Sequence, residues 1–133
     1  MKLNSKYLYR SLLGLYLVAL LVLCFGHFNS SPNIPKDFLG VPMDKVIHFL
    51  MFFPFPILAF LSFDRYTETL RSTLIFAGIT FVIGCLMALG TEWGQAHLTT
   101  HRTGDSMDLA ADLLALGISS ALVIIWDLHK QKK

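Results

Sequence analysis

Two groups of ionisable residues stand out in a chain that is otherwise poor in them. One is Asp44-Lys45-x2-His48-Phe49. The other runs from Glu92 and Gln95 through Arg102, Asp105 and Asp108 to Asp112. Asp44 and His48 are four apart and share a helix face; Glu92 and Gln95, three apart, face together if their helix continues to about His97. Asp105, Asp108 and Asp112 stand at offsets 0, 3 and 7, one stripe on a helix. These residue types support proton transfer and anion or headgroup recognition. His48 suits a general base or proton shuttle. Glu92 and Asp108 can polarise or orient a bound group, and Arg102 can clamp an anion through two parallel hydrogen bonds. Asp44, Lys45, Gln95, Asp105 and Asp112 complete the candidate ligand site. The excess of acids argues against a pocket for phosphate alone and suits a cation, an amine, a proton or a hydroxylated headgroup.

Each feature also has a purely structural explanation. Asp105 suits an N-cap and Asp108 the third helical position, where an acid favours the helix dipole. Asp44 stands where an N-cap belongs. Arg102 among Glu92, Asp105, Asp108 and Asp112 can pin a loop by ion pairs. Asp112 is the hardest to explain by capping: it lies about 6 Å deeper than Asp108 along a helix, and an acid at that depth must pair, protonate or face water. Arg102, Lys45 and His48 are the partners at that level. His97-x3-His101 has metal-ligand spacing, but Thr99-Thr100 and Gly104 weaken the helix this spacing needs, so no metal and no cofactor are expected. No GxSxG, HExxH or phosphate-cradling glycine loop is present.

The elements that position these residues are transmembrane. Of 133 residues, 54% are hydrophobic and 15% charged, and the mean hydropathy is +0.58, too apolar for a soluble domain of this size. Four runs lack Asp, Glu, Lys and Arg: Ser11–Pro35, Val46–Phe63, Ser72–Thr91 and Leu109–Trp126. A span needs about 20 residues, and Asn29-Ser30-Ser31-Pro32 reads as loop. The spans are therefore expected near residues 7–28, 46–63, 72–91 and 109–126: an all-α, polytopic four-helix bundle forming one domain over 1–133. Lys2, Lys6, Arg10, Arg65, Arg71, Lys130, Lys132 and Lys133 fall on one side, against Lys36, Lys45 and Arg102 on the other. The positive-inside rule then places both termini in the cytoplasm and both polar groups outside. The first helix lacks a small-x-small cleavage site and is expected to stay uncleaved. Pro54 and Pro56 should kink the second span and leave carbonyls near Leu50 and Phe52 in need of partners. Gly90-x3-Gly94 permits close helix approach. Cys24 and Cys85 read as small buried hydrophobes.

At its polar residues the chain resembles the VanZ-like membrane proteins. The family pattern has Asp-Lys-x2-His-Phe opening one span, then Glu-x2-Gln, a short loop with Arg, and Asp-x2-Asp leading into a final apolar helix. Here these are Asp44-Lys45-Val46-Ile47-His48-Phe49, Glu92-Trp93-Gly94-Gln95, and Arg102-Thr103-Gly104-Asp105-Ser106-Met107-Asp108. The resemblance covers roughly Met43 to Ser120. Many members carry Asn where this chain has Asp112. The family's namesake is associated with low-level resistance to the glycopeptide teicoplanin, so the resemblance implies a multi-pass protein of the bacterial inner membrane and cell envelope.

Three functions follow as expectations. The outer-face pocket acts on or binds an envelope lipid or cell-wall precursor. Alternatively, the network is structural and the protein a non-catalytic accessory to a membrane partner. Third, the intramembrane acids form a proton-coupled element. The bilayer is the certain partner under all three, and nucleic acid is not expected.

Overall fold

The computed structural model describes residues 3–26, 35–100 and 104–133. Five helical segments make four long rods: α1 (Leu3–Phe25), α2 (Met43–Phe52) continuing into α3 (Pro54–Phe63), α4 (Leu70–Leu98) and α5 (Ser106–Gln131). All four rods are long and apolar enough to cross a membrane. Their outward faces carry Leu15, Val18, Leu50, Ile79, Leu86 and Ile125, whereas His48, Thr73, Glu92, Gln95, Asp108, Asp112, Ser119 and Asp127 point inward. Apolar outside and polar inside is the pattern a lipid solvent selects. It fits a multi-pass membrane protein.

The helices are longer than charge-free runs suggest. α4 continues through Glu92 to Leu98, and α5 starts at Ser106 and ends at Gln131. Charged residues close a run in the sequence, but here they are paired inside the bundle, so the helices run through them. α1, in contrast, ends at Phe25, short of residue 28. α5 is the central rod, packing against α4, α2 and α3, while α1 packs on α3 and α4. The core between them holds Leu20, Cys24, Phe52, Phe55, Ala88, Ala115 and Leu116. Cys24 is buried, Cys85 half-buried, and the two are not joined.

The second span breaks where its prolines stand. α2 ends at Phe52 and α3 opens on Pro54, because Pro54 and Pro56 remove two helix donors. The carbonyls that take side-chain donors are Met51 and Phe53, each one residue beyond the expected pair. The Tyr16 hydroxyl donates to Met51 O at 2.5 Å and the Ser119 hydroxyl to Phe53 O at 2.7 Å. The Gly90-x3-Gly94 pair does not bring two backbones together: Gly90 faces open space, and the Phe25 ring seats on Gly94.

Before α2, a two-stranded hairpin pairs Asp37–Phe38 with Val41–Pro42. Its turn, Leu39-Gly40, has φ of 51° and 80°, the mirror-image turn favoured by strand twist. Gly40 adopts this freely; Leu39 does not. Pro42 takes the N-cap position of α2 without a side-chain cap, so Asp44 lies in the first turn instead of capping it.

At the opposite end of the bundle, Asp64 is an anchor. Its carboxylate takes Lys6 and Lys130, both at 3.2 Å. Burial pushes the Asp64 carboxyl up, but hydrogen bonds from Lys130 and Lys6 outweigh this and hold it below the usual range. The folded chain therefore holds this proton less tightly than the unfolded chain. The stabilisation is complete above about pH 4, the ordinary carboxylate value, and is lost as pH falls through the lower folded value. An acid titration followed by circular dichroism is expected to show wild type losing stability below about pH 4, and Asp64→Asn, weaker at neutral pH, losing less. Identical acid profiles would remove Asp64 from this role.

Candidate functional site

The start of α2, the end of α4 and the start of α5 converge at one end of the bundle and gather most of the sequence-predicted residues. The loop before α5 is held close to α4 by Gly104, where a Cβ would stand 2.8 Å from the Ala96 Cβ. This places the Asp105 N–H to donate to Glu92 Oε2 at 3.3 Å. Asp105 caps α5, its carboxylate accepting from the Met107 N–H at 2.9 Å. Lys45, the third residue of α2, bridges to α5. Its ammonium lies 2.6 Å from Asp44, 2.5 Å from Asp105 and 2.5 Å from Asp108. Hydrogen bonds from Lys45 and from the Met107 N–H hold the Asp105 carboxyl below the usual range.

One turn deeper, His48 Nδ1 lies 3.0 Å from Asp112 Oδ1, and its Nε2 lies 3.5 Å from Asp108 Oδ2. Asp112 is fully buried, while His48, Glu92 and Asp108 are each no more than 8% exposed. Here two buried carboxylate oxygens, Glu92 Oε1 and Asp112 Oδ2, have no hydrogen-bond partner among the described residues. The His48–Asp112 pair fixes the ring and leaves Nε2 to act, the arrangement a base or a metal ligand needs. Asp44, Lys45, His48, Glu92, Asp105, Asp108 and Asp112 thus form one contiguous cluster.

Two predicted residues do not join it in the described structure. Gln95 turns toward α1, and its amide donates to the Cys24 carbonyl at 2.9 Å. Three residues on a helix is a rotation of about 60° from Glu92, enough to move Gln95 from the α5 side to the α1 side. It therefore ties helices together away from the cluster. Arg102 lies outside the described residues, as does His101. His97 stacks on Trp93 with ring centroids 4.9 Å apart, and its Nδ1 lies 2.9 Å from the Trp93 carbonyl oxygen.

An apolar groove of about 280 Å³ opens beside the cluster, between the hairpin, α2 and α5. Phe38, Leu39, Val41, Leu50, Ala111 and Leu114 line it, and Lys45 stands at its polar end. Two comparable grooves along α1 are lined by no charged side chain.

Comparison with known proteins identifies a relative along most of the chain. Uncharacterized protein C11E3.10 of Schizosaccharomyces pombe is 30% identical over 123 residues, covering 92% of this chain and 67% of the fungal protein. The chain belongs to that protein's family. No family model matches the sequence, and no solved structure matches it.

Sequence reading missed one buried acid altogether. Asp127, 1% exposed, sits at the other end of α5, where Oδ2 takes the Thr73 hydroxyl at 2.5 Å and the Gln131 amide at 3.0 Å. Its place just past an apolar run made it look like a span boundary. The signal was Gln131, four residues on and therefore on the same face.

Proposed function

We propose that this protein is a VanZ-like multi-pass membrane protein that binds a lipid or lipid-linked envelope precursor, with the headgroup at the Lys45–His48–Asp108 cluster and the chain in the adjoining groove. The observation that carries this reading is Lys45, which lies at once in the polar cluster and at the end of the apolar groove. An amphiphile needs that junction, with an apolar slot leading to a few placed polar groups. The acid-rich cluster favours a headgroup that brings hydroxyls or an amine. The Asp-Lys-x2-His-Phe and Asp-x2-Asp motifs support the family reading. The uneven distribution of basic residues supports cytoplasmic termini, with Lys6, Arg10 and Lys130 gathered at the end away from the cluster. Because a family member is fungal, the proposal rests on headgroup chemistry and not on antibiotic resistance.

Native mass spectrometry of the chain from mild detergent tests it. Wild type is expected to retain a lipid adduct. Ala111→Trp, which fills the groove from α5 while leaving every cluster side chain in place, is expected to lose it with its helicity intact. Equal retention in both would sink the groove assignment.

A second reading has its own support: Lys45 joins three carboxylates across α2 and α5, as a purely structural clasp would. Under that reading Ala111→Trp has no effect on bound lipid, and only Lys45 variants disturb the protein.

A further inference from the structure

Two trios of acidic or imidazole side chains in the cluster are compact enough to share an ion. In each, one ligand atom per residue lies within 4.8 Å of the others. The trio Asp44, Asp105 and Asp108 already surrounds a cation, the Lys45 ammonium, at 2.5 to 2.6 Å. The trio His48, Glu92 and Asp108 is different. All three are buried, and among the described residues no ammonium or guanidinium reaches Glu92, whose Oε1 is buried without a partner.

The imidazole geometry sharpens the contrast. In the tautomer that donates Nδ1–H to Asp112, the Nε2 lone pair faces an oxygen of Asp108 at 3.5 Å. That is long for a hydrogen bond, which favours about 2.9 Å. A lone pair facing a carboxylate oxygen also needs something positive between them. Two ligand atoms each ~2.0–2.2 Å from a tetrahedral ion stand about 3.4 Å apart. A carboxylate on the far ring nitrogen, the place Asp112 holds, is the usual outer support of a zinc-bound histidine. An imidazole with two carboxylates suits zinc better than calcium or magnesium, which take mainly oxygen and more ligands.

We propose that His48, Glu92 and Asp108 bind a tetrahedral divalent cation of the zinc class, with Asp112 as the positioning residue behind His48. Three protein ligands leave the fourth position to water or to a headgroup oxygen, the arrangement of catalytic zinc sites. The ion also offsets negative charge in a cluster where, among the described residues, five carboxylates meet one lysine and one histidine. The site is distinct from His97-x3-His101, where sequence spacing first suggested a metal. It rests on the cluster geometry and not on the lipid reading.

The test uses the full chain in detergent, stripped with EDTA and returned to zinc alone. Bound metal is read by elemental mass spectrometry and its shell by zinc K-edge absorption. One zinc per chain is expected, four-coordinate, with one imidazole, oxygen otherwise, and no sulfur. Glu92→Gln and Asp112→Asn should each weaken binding at least ~10-fold, the range seen when supporting groups are removed, and His97→Ala should leave it unchanged. No zinc on folded wild type, a shell with sulfur or two imidazoles, or loss with His97→Ala would overturn the proposal. The absorption measurement decides on wild type alone, even if Glu92→Gln does not fold. Zinc bound by lipid-free protein stands apart from lipid retention, so either assignment can fail without the other.

Discussion

Lys45→Ala is expected to destabilise the protein by about 3–5 kcal/mol, the cost of leaving a buried charge without its partner. The magnitude rests on one of the three pairs. The Asp44 and Asp105 side chains are 58% and 43% exposed, and pairs of that kind contribute about 1 kcal/mol or less. Asp108 is only 12% exposed and already faces His48, so the loss falls chiefly there. Thermal or steric-trap unfolding in bicelles measures it. Adding Asp108→Asn to Lys45→Ala should recover a large part of the loss, because the uncompensated charge then disappears. A single-variant loss under about 1 kcal/mol would mean that the clasp is solvent-screened and holds nothing.

Asp127→Ala should cost about 2–3 kcal/mol at the other end of α5. One buried oxygen takes both the Thr73 hydroxyl and the Gln131 amide, and bonds to a charged acceptor contribute about 1.5–3 kcal/mol. Thr73 keeps a bond to the Thr69 carbonyl, and Gln131 keeps bonds to Thr67 and Thr73. Those remaining partners hold the estimate below the combined range, near the worth of one such bond. The loss should appear as earlier exchange of the α4 N-terminal and α5 C-terminal amides, with the cluster end unaffected. Uniform exchange along both helices would show that Asp127 acts on the whole bundle and not on this end.

Much of the cluster was legible because helical periodicity is a strong signal. Asp105, Asp108 and Asp112 fall on one stripe, and Asp44 shares the start of a helix with His48; the structure brings these residues together. Four apolar rods were legible for the same reason that lipid selects them. Other features depended on which neighbour a helix faces, and one sequence does not specify that. Gln95 lies near Glu92 on the helical wheel, but α4 sits between two neighbours and the two side chains go to different ones. Asp44 reads as a cap until the hairpin is known to deliver Pro42 to that position. Lys45 was visible as one available partner, but its place amid three carboxylates depends on how α2 meets α5. Asp127 was hidden by treating charge as the edge of a span, which fails wherever a charge is buried with partners.

The break between α2 and α3 has a mechanical consequence. A proline break normally gives a rod a hinge, but here two carbonyls at the break are fastened, Met51 to α1 through Tyr16 and Phe53 to α5 through Ser119. The joint is a weld. The half-rod carrying Asp44, Lys45 and His48 is held against α5 through Lys45 near its start and beside the break through Ser119. The apolar groove beside the hairpin therefore opens between segments that are tied together at both ends.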